Sequence, residues 1–188
     1  TGRSTWAERV EEMERVSAFM GYDGYHLAFP GDDYHLKLDT MPRRDLIDAI
    51  ERGHDISLEG LKPTMLLTPS LHDYNQDHWA VHEATIAATR PGAPEFKTRQ
   101  PYVATYELPY SGLGRGGPSE QPQFHVAMSN ADMGTKVQAV KLYASQLKST
   151  CGPLSVHGVR TLAAQRGIQC GAEWAESYHL LRLVIHAE

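Results

Sequence analysis

Two apolar runs of strand length, TMLLTPS (64–70) and YVATYEL (102–108), flank a stretch that reads as a helix from about Asp77 to Thr89. Arg90-Pro91 stops that helix, because proline removes a donor and pushes the preceding residue out of the helical region. Strand, helix and strand in this order are the signature of a sheet whose strands are joined by crossover helices. This pattern narrows the fold more than any other feature of the chain.

The alternation extends to both sides. Thr5 and Glu8 make a capping box, and Trp6, Val10, Met13, Val16 and Met20 follow at spacings of three and four until Gly21. YHLAF (25–29) predicts a short strand, broken by Pro30-Gly31-Asp32-Asp33. Pro42 opens a helix with Leu46, Ile47 and Ile50 on its inner face, up to Gly53. FHVAMSN (124–130) predicts another strand. Met133, Val137, Val140, Ala144 and Leu147 mark a helix, and Leu154, Val159, Leu162 and Ala163 mark one more, ended at Gly167. YHLLRLVIH (178–186) is apolar on both faces and closes the chain as a strand. The expected fold is α/β, a Rossmann-like three-layer α/β/α arrangement with a mostly parallel sheet. It is expected as a single domain over 1–188, since neither an internal repeat nor an interdomain linker is visible.

In such sheets ligands bind beyond the C-terminal ends of the strands. TMLLTPS leads through LHDYNQDHWAVH (71–82) into a helix N-terminus, so that crowded stretch lies on the binding edge. His78 and His82 stand four apart on one helical face, a spacing that suits a zinc pair. A helical zinc protease needs Glu after the first His, and Trp79 stands there instead. His82 therefore reads as a half-buried helix residue. For His78 the spacing leaves a metal role and a plain helix-entry role both open. Asp73, Asn75 and Asp77 are suited to capping the helix.

Other features fall away. Asp32-Asp33 is a turn rather than a carboxylate pair. The glycines of GLGRGG (112–117) fit neither GxGxxG nor the P-loop pattern, and the Gly, Pro and Ser of 111–123 read as a loop. No Ser or Cys stands in a nucleophile elbow. A net charge of −5 with no long basic run argues against nucleic acid. No run of some 18 apolar residues suggests a membrane span. Cys151 and Cys170 are too few and too far apart for a disulfide framework or a cysteine zinc finger, so a reducing, cytoplasmic setting is expected. Ten histidines tilt the chain toward metal binding; seven of them, His26, His35, His54, His125, His157, His179 and His186, are scattered and read as structural or solvated.

Four segments follow one another in a familiar order: DTMPRRDLIDAIE, PTMLLTPSLHDYNQDHWAVHEATIAATRP, KVQAVKLYASQLKS and LAAQRGIQCGAEWAESYHL. Together they resemble the zinc-dependent de-N-acetylases of the PIG-L (LmbE-like) family over most of the chain. DYNQDHWAVHEA is the most specific piece and matches that family's second metal motif. The resemblance implies hydrolysis of the acetamide of an N-acetylated sugar, of N-acetylglucosamine type, or its conjugate. It implies zinc, with His78 as a ligand. Asp77 and Asn75 would shape the catalytic site, Asn75 standing where many members carry a His. Asp73, Tyr74 and Arg43 are the expected substrate contacts, Arg43 and Arg44 toward a phosphate or nucleotide, with Glu176 structural.

The family's first motif, HPDD, supplies two further ligands and the base, and it is absent from these residues. PGDD at 30–33 lies too near His78 to replace it. The chain therefore reads as one that lacks its N-terminal strands, and a further segment or a second copy of the chain is expected to cover the exposed sheet. One His does not hold a catalytic zinc, which takes three protein ligands. The alternative is a catalytically inactive relative that binds a sugar or a partner. An unrelated dinucleotide-binding module is disfavoured, since no strand is followed by a glycine fingerprint.

Overall fold

The computed structural model describes residues 4–93, 97–110, 121–147 and 150–185. The loop expected over 111–123 and His186 therefore fall largely or wholly outside the described residues. Helices α1 (Trp6–Met20), α2 (Arg43–Glu51), α3 (Leu58–Leu61), α4 (Gln76–Ala88), α5 (Asn130–Leu142) and α6 (Val156–Cys170) accompany four strands. These are β1 (Met65–Pro69), β2 (Tyr102–Tyr106), β3 (Phe124–Met128) and β4 (Trp174–Leu183), in one sheet of order β1-β2-β4-β3. The mixed α/β class is as expected.

A mostly parallel sheet is not what forms. β1 and β2 are parallel, with Met65 opposite Tyr102 and Pro69 opposite Tyr106, but β4 runs antiparallel to β2. The reason lies in the connections. β1 reaches β2 through the single crossover helix α4, which imposes the parallel sense, whereas β3 and two helices intervene between β2 and β4. Apolar patterning marks β4 as a strand without carrying its direction.

Contacts gather the chain into two compact units. One comprises Thr1–Asp32, Leu108–Tyr110 and His125–Ser177. In it α1 begins with the expected capping box, Thr5 with Glu8, and ends at Gly21 in the left-handed conformation. Its core joins Met133, Val137 and Ala163, with Val156, Val159 and Trp174 packed against them. Glu12 is buried on α1, and its carboxylate accepts from Ser145 N and Oγ, each at 2.7 Å. Asp32 belongs to a 3₁₀ turn, Asp32–Tyr34, and accepts from Trp6 N at 2.7 Å, which answers one open donor of α1.

Three expectations in this unit need correction, the first being the helix expected to reach Ala144 and Leu147, since α5 ends at Leu142. YHLAF (25–29) is not a strand: Tyr25, Leu27 and Phe29 are half-buried and His26 and Ala28 exposed, so the period of two is present but no strand forms. Gly167 does not end α6, which continues to Cys170 and is closed by Gly171 at φ 78°. Gly167 is instead a point of close approach, because a Cβ there would meet Glu173 O at 2.6 Å and Ala172 O at 2.7 Å.

The other unit comprises Asp33–Glu107, Ser111–Phe124 and Tyr178–Glu188. Its centre is the β1–α4–β2 unit. Ala80, Ala84 and Ala88 recur every fourth residue and are buried, so α4 lies close on its neighbours β1 and α2. Thr68 Oγ1 and Thr85 Oγ1, both buried, are 3.1 Å apart and tie β1 to α4. No helix among the described residues is long and apolar enough to cross a membrane.

Candidate functional site

Because β1 and β2 are parallel and end in register, Pro69 and Tyr106 mark one edge of the sheet. The chain leaves that edge through residues 70–75 and enters α4. The turn is built by side chains on backbone: Ser70 Oγ accepts from His72 N at 3.1 Å, and Asp73 Oδ1 accepts from Asn75 N at 2.9 Å. Asn75 is the N-cap of α4, and its Oδ1 accepts from Asp77 N at 2.9 Å. That leaves the Nδ2 donors of Asn75 for a ligand.

Asp73 is the hub. It is 1% exposed, its Oδ2 lies 2.7 Å from His78 Nδ1, and its carbonyl accepts from Trp79 Nε1. An ionised carboxylate only accepts, so a neutral imidazole opposite it carries its proton on Nδ1 and its lone pair on Nε2. A carboxylate behind a histidine in this way fixes the ring and the tautomer needed for binding a metal or taking up a proton. His78 keeps a quarter of its side chain exposed, so its outer nitrogen can be reached.

Asp77 faces elsewhere. Its Oδ2 accepts from Leu36 N at 2.7 Å and its Oδ1 from Leu38 N at 2.9 Å, while Gln76 Nε2 donates to Leu36 O at 3.0 Å. The first turn of α4 thus clamps the 36–38 loop, where Leu36 takes a left-handed φ of 56°. Tyr74 is about half exposed beside Asp73. Arg43 on α2 pairs with Glu83 on α4. Arg44 pairs with Asp48 at 3.6 Å, and Glu176, in the other unit, pairs with Lys136. His82, expected to be half-buried, is buried, and its Nδ1 donates to Pro69 O at 2.8 Å.

The sequence pattern did not single out Tyr106. Burial, followed by the negative charge of Asp73, pushes its phenol up to about 12. Its position as the last residue of β2, level with Pro69, is the signal that places it on this edge.

Among the described residues no group of three or more His, Cys, Asp and Glu side chains is disposed to hold a metal. His78 fits one coordination position, with its carboxylate partner in place, but a catalytic zinc takes three protein ligands. The described residues therefore do not make a zinc centre by themselves.

No family model and no curated protein matches the sequence. Solved structures do. The conserved protein TT1542 from Thermus thermophilus superposes with a TM-score of 0.67 at 24% identity, covering 99% of this chain and 78% of that one. The A40926 pseudoaglycone deacetylase Dbv21 gives a TM-score of 0.66 at 20% identity, over 96% of this chain and 72% of that one. The teicoplanin deacetylase Orf2, in a zinc-inhibited form, gives 0.60 at 18% identity, over 93% and 73%. At these identities the likeness establishes a common fold, and two of the three proteins that share it are described as deacetylases.

Proposed function

We propose that the chain acts as a metal-dependent amide hydrolase that removes the acetyl group from an N-acetylated sugar, of N-acetylglucosamine type, or from its glycoconjugate. The observation that carries this reading is the buried Asp73 behind His78 at the C-terminal edge of β1 and β2. In this reading the chain forms one deacetylase domain in which His78 Nε2 supplies one zinc ligand. The remaining ligands and the base come from a segment outside the residues described. Polarising the acetyl carbonyl and activating a water is the chemistry a zinc ion supplies in such a site.

The chain's own residues hold and orient. Asp73 fixes His78, Asn75 Nδ2 donates to the carbonyl oxygen, and Tyr74 offers its ring to the sugar. The descriptions of the similar structures support the reaction class, and the zinc named for one of them supports the metal.

A second reading is a sugar-binding relative without hydrolytic activity. It is favoured by the lack of a three-ligand group among the described residues. One experiment separates the two. The full coding sequence is expressed, its zinc content measured, and primary amine release followed from an N-acetylglucosamine conjugate. About one tight zinc per chain, with amine release lost in His78→Ala, supports the hydrolase. Sugar binding without zinc, without amine release and unchanged in His78→Ala supports the binding module.

A further inference from the structure

Leu36 stands at a backbone angle that its side chain does not favour. Its φ is 56°, in the left-handed region where glycine is at ease and a Cβ crowds the next carbonyl. Packing does not explain a leucine there, since it is 37% exposed and outside the buried core. The turn does not call for it either: Lys37 N donates to Tyr34 O at 3.2 Å, a backbone bond that needs no apolar side chain at 36. Strained backbone held in place by its surroundings gathers at ligand sites.

Here the surroundings are the first turn of α4. Leu36 N donates to Asp77 Oδ2 at 2.7 Å, Leu36 O accepts from Gln76 Nε2 at 3.0 Å, and Leu38 N donates to Asp77 Oδ1 at 2.9 Å. The backbone N–H and C=O of Leu36 are both spent on this helix, and its isobutyl group stays partly in water. The clamp also limits a distance. An aspartate oxygen lies at most about 3.6 Å from its own Cα and neighbouring Cα atoms are about 3.8 Å apart, so Leu36 N is no more than about 10 Å from the Cα of His78. Tyr34 and Tyr74, on the same two segments, are exposed as well.

The chemistry of the substrate says what such a side chain meets. On a 2-acetamido sugar the acetyl group leaves from the nitrogen on C2, and the aglycone is joined at the adjacent carbon, C1. An acetamide held at His78 therefore starts the aglycone a few ångströms away, within reach of position 36. Ring hydroxyls ask for hydrogen-bonding partners, which an isobutyl group does not offer, whereas an apolar aglycone gains from losing water against it.

We infer that Leu36 selects the aglycone, contacting an alkyl or aryl group at C1 of the N-acetylated sugar, with Tyr34 beside it. This rests on the deacetylase reading of the His78 site and narrows its substrate to glycosides with an apolar aglycone.

The product of the full coding sequence is loaded with zinc, and kcat/KM for amine release is compared for the butyl and methyl glycosides of N-acetylglucosamine. The butyl glycoside should be favoured about tenfold, the size of effect that methylenes in an apolar contact give. Leu36→Gly should cut that ratio to about twofold or less without lowering the urea midpoint, because glycine relieves the left-handed angle. Leu36→Asn accepts the same angle, keeps a side chain of similar length without its apolar surface, and should cut the ratio likewise. A ratio near one in the parent, a ratio kept in Leu36→Gly, or a midpoint lowered in both variants would each overturn the assignment of Leu36 and leave the deacetylase reading standing. Release of no amine from either glycoside would overturn that reading, and the aglycone assignment with it.

Discussion

His78 Nδ1 and Asp73 Oδ2 are 2.7 Å apart, and Asp73 is 1% exposed while His78 is not buried. The carboxylate is thus sealed behind the ring it holds. An asparagine at 73 keeps the volume but presents either an oxygen or an amide nitrogen to Nδ1, so it no longer dictates the tautomer. Asp73→Asn should leave the chain folded and move part of the His78 population to the other tautomer in nitrogen NMR; if His78 is a zinc ligand as proposed, it should also weaken zinc binding by about 10- to 100-fold. A tautomer ratio equal to that of the parent would show that Asp73 does not position His78.

Asp77 offers a test of the clamp. Two backbone N–H groups, Leu36 and Leu38, point at its carboxylate from about forty residues away in sequence. Leu36 is held at a left-handed φ that ordinarily costs a side-chain-bearing residue about 1–2 kcal/mol. Hydrogen bonds to a charged group are worth about 1.5–3 kcal/mol, and this pair is only partly buried, so Asp77→Ala should lose an amount near the lower figure. Urea unfolding gives the value. Limited proteolysis should show new cleavage around 35–38, and Asp77→Asn, which keeps one acceptor, should fall between the two.

The β1–α4–β2 unit was legible because each element is marked by its own residues: two apolar runs, a helix without glycine or proline, and Arg90-Pro91 as a stop. His78 and its polar neighbours were legible for the same reason, since Asp73, Asn75 and His78 touch within five residues. What was not legible depends on register and on chain path. Tyr106 meets the field of Asp73 only because β2 lies beside β1 with Pro69 opposite Tyr106. The sense of β4 depends on the route taken by the intervening chain. YHLAF has the period of a strand, but a strand also needs a neighbour, which local pattern cannot supply.

Tyr106 should carry a pH signature. Its phenol is raised to about 12 by burial and by Asp73, whereas in the unfolded chain it titrates near 10. The folded state therefore holds its proton where the unfolded state releases it. The contribution to stability is fully present below about pH 10 and is lost as pH rises toward about 12. Ultraviolet titration of the nine tyrosines should show a late-ionising fraction that includes Tyr106 and Tyr143, whose phenol is also raised, by burial first. Tyr106→Phe should remove part of that fraction and flatten the fall in stability across the same window. An unchanged late fraction would place Tyr106 in water.

Two helical glycines should respond in opposite ways to the same substitution. Alanine is the better helix former by about 1 kcal/mol, so where space is open Gly→Ala stabilises. Gly134 in α5 is such a place, since a Cβ there meets nothing within 4 Å. Gly134→Ala should raise stability by about 0.5–1 kcal/mol. Gly167 in α6 is the reverse: the added Cβ would stand 2.6 Å from Glu173 O and 2.7 Å from Ala172 O, which are backbone atoms and cannot swing aside. Gly167 O also accepts from Ala172 N at 2.9 Å, so the turn that leads into β4 is tied to this residue. Overpacking of this kind costs about 1–3 kcal/mol and outweighs the propensity gain. Gly167→Ala should lower the unfolding midpoint in urea while Gly134→Ala raises it. Stabilisation by both would mean that α6 and the chain after Gly171 are not in close contact at Gly167.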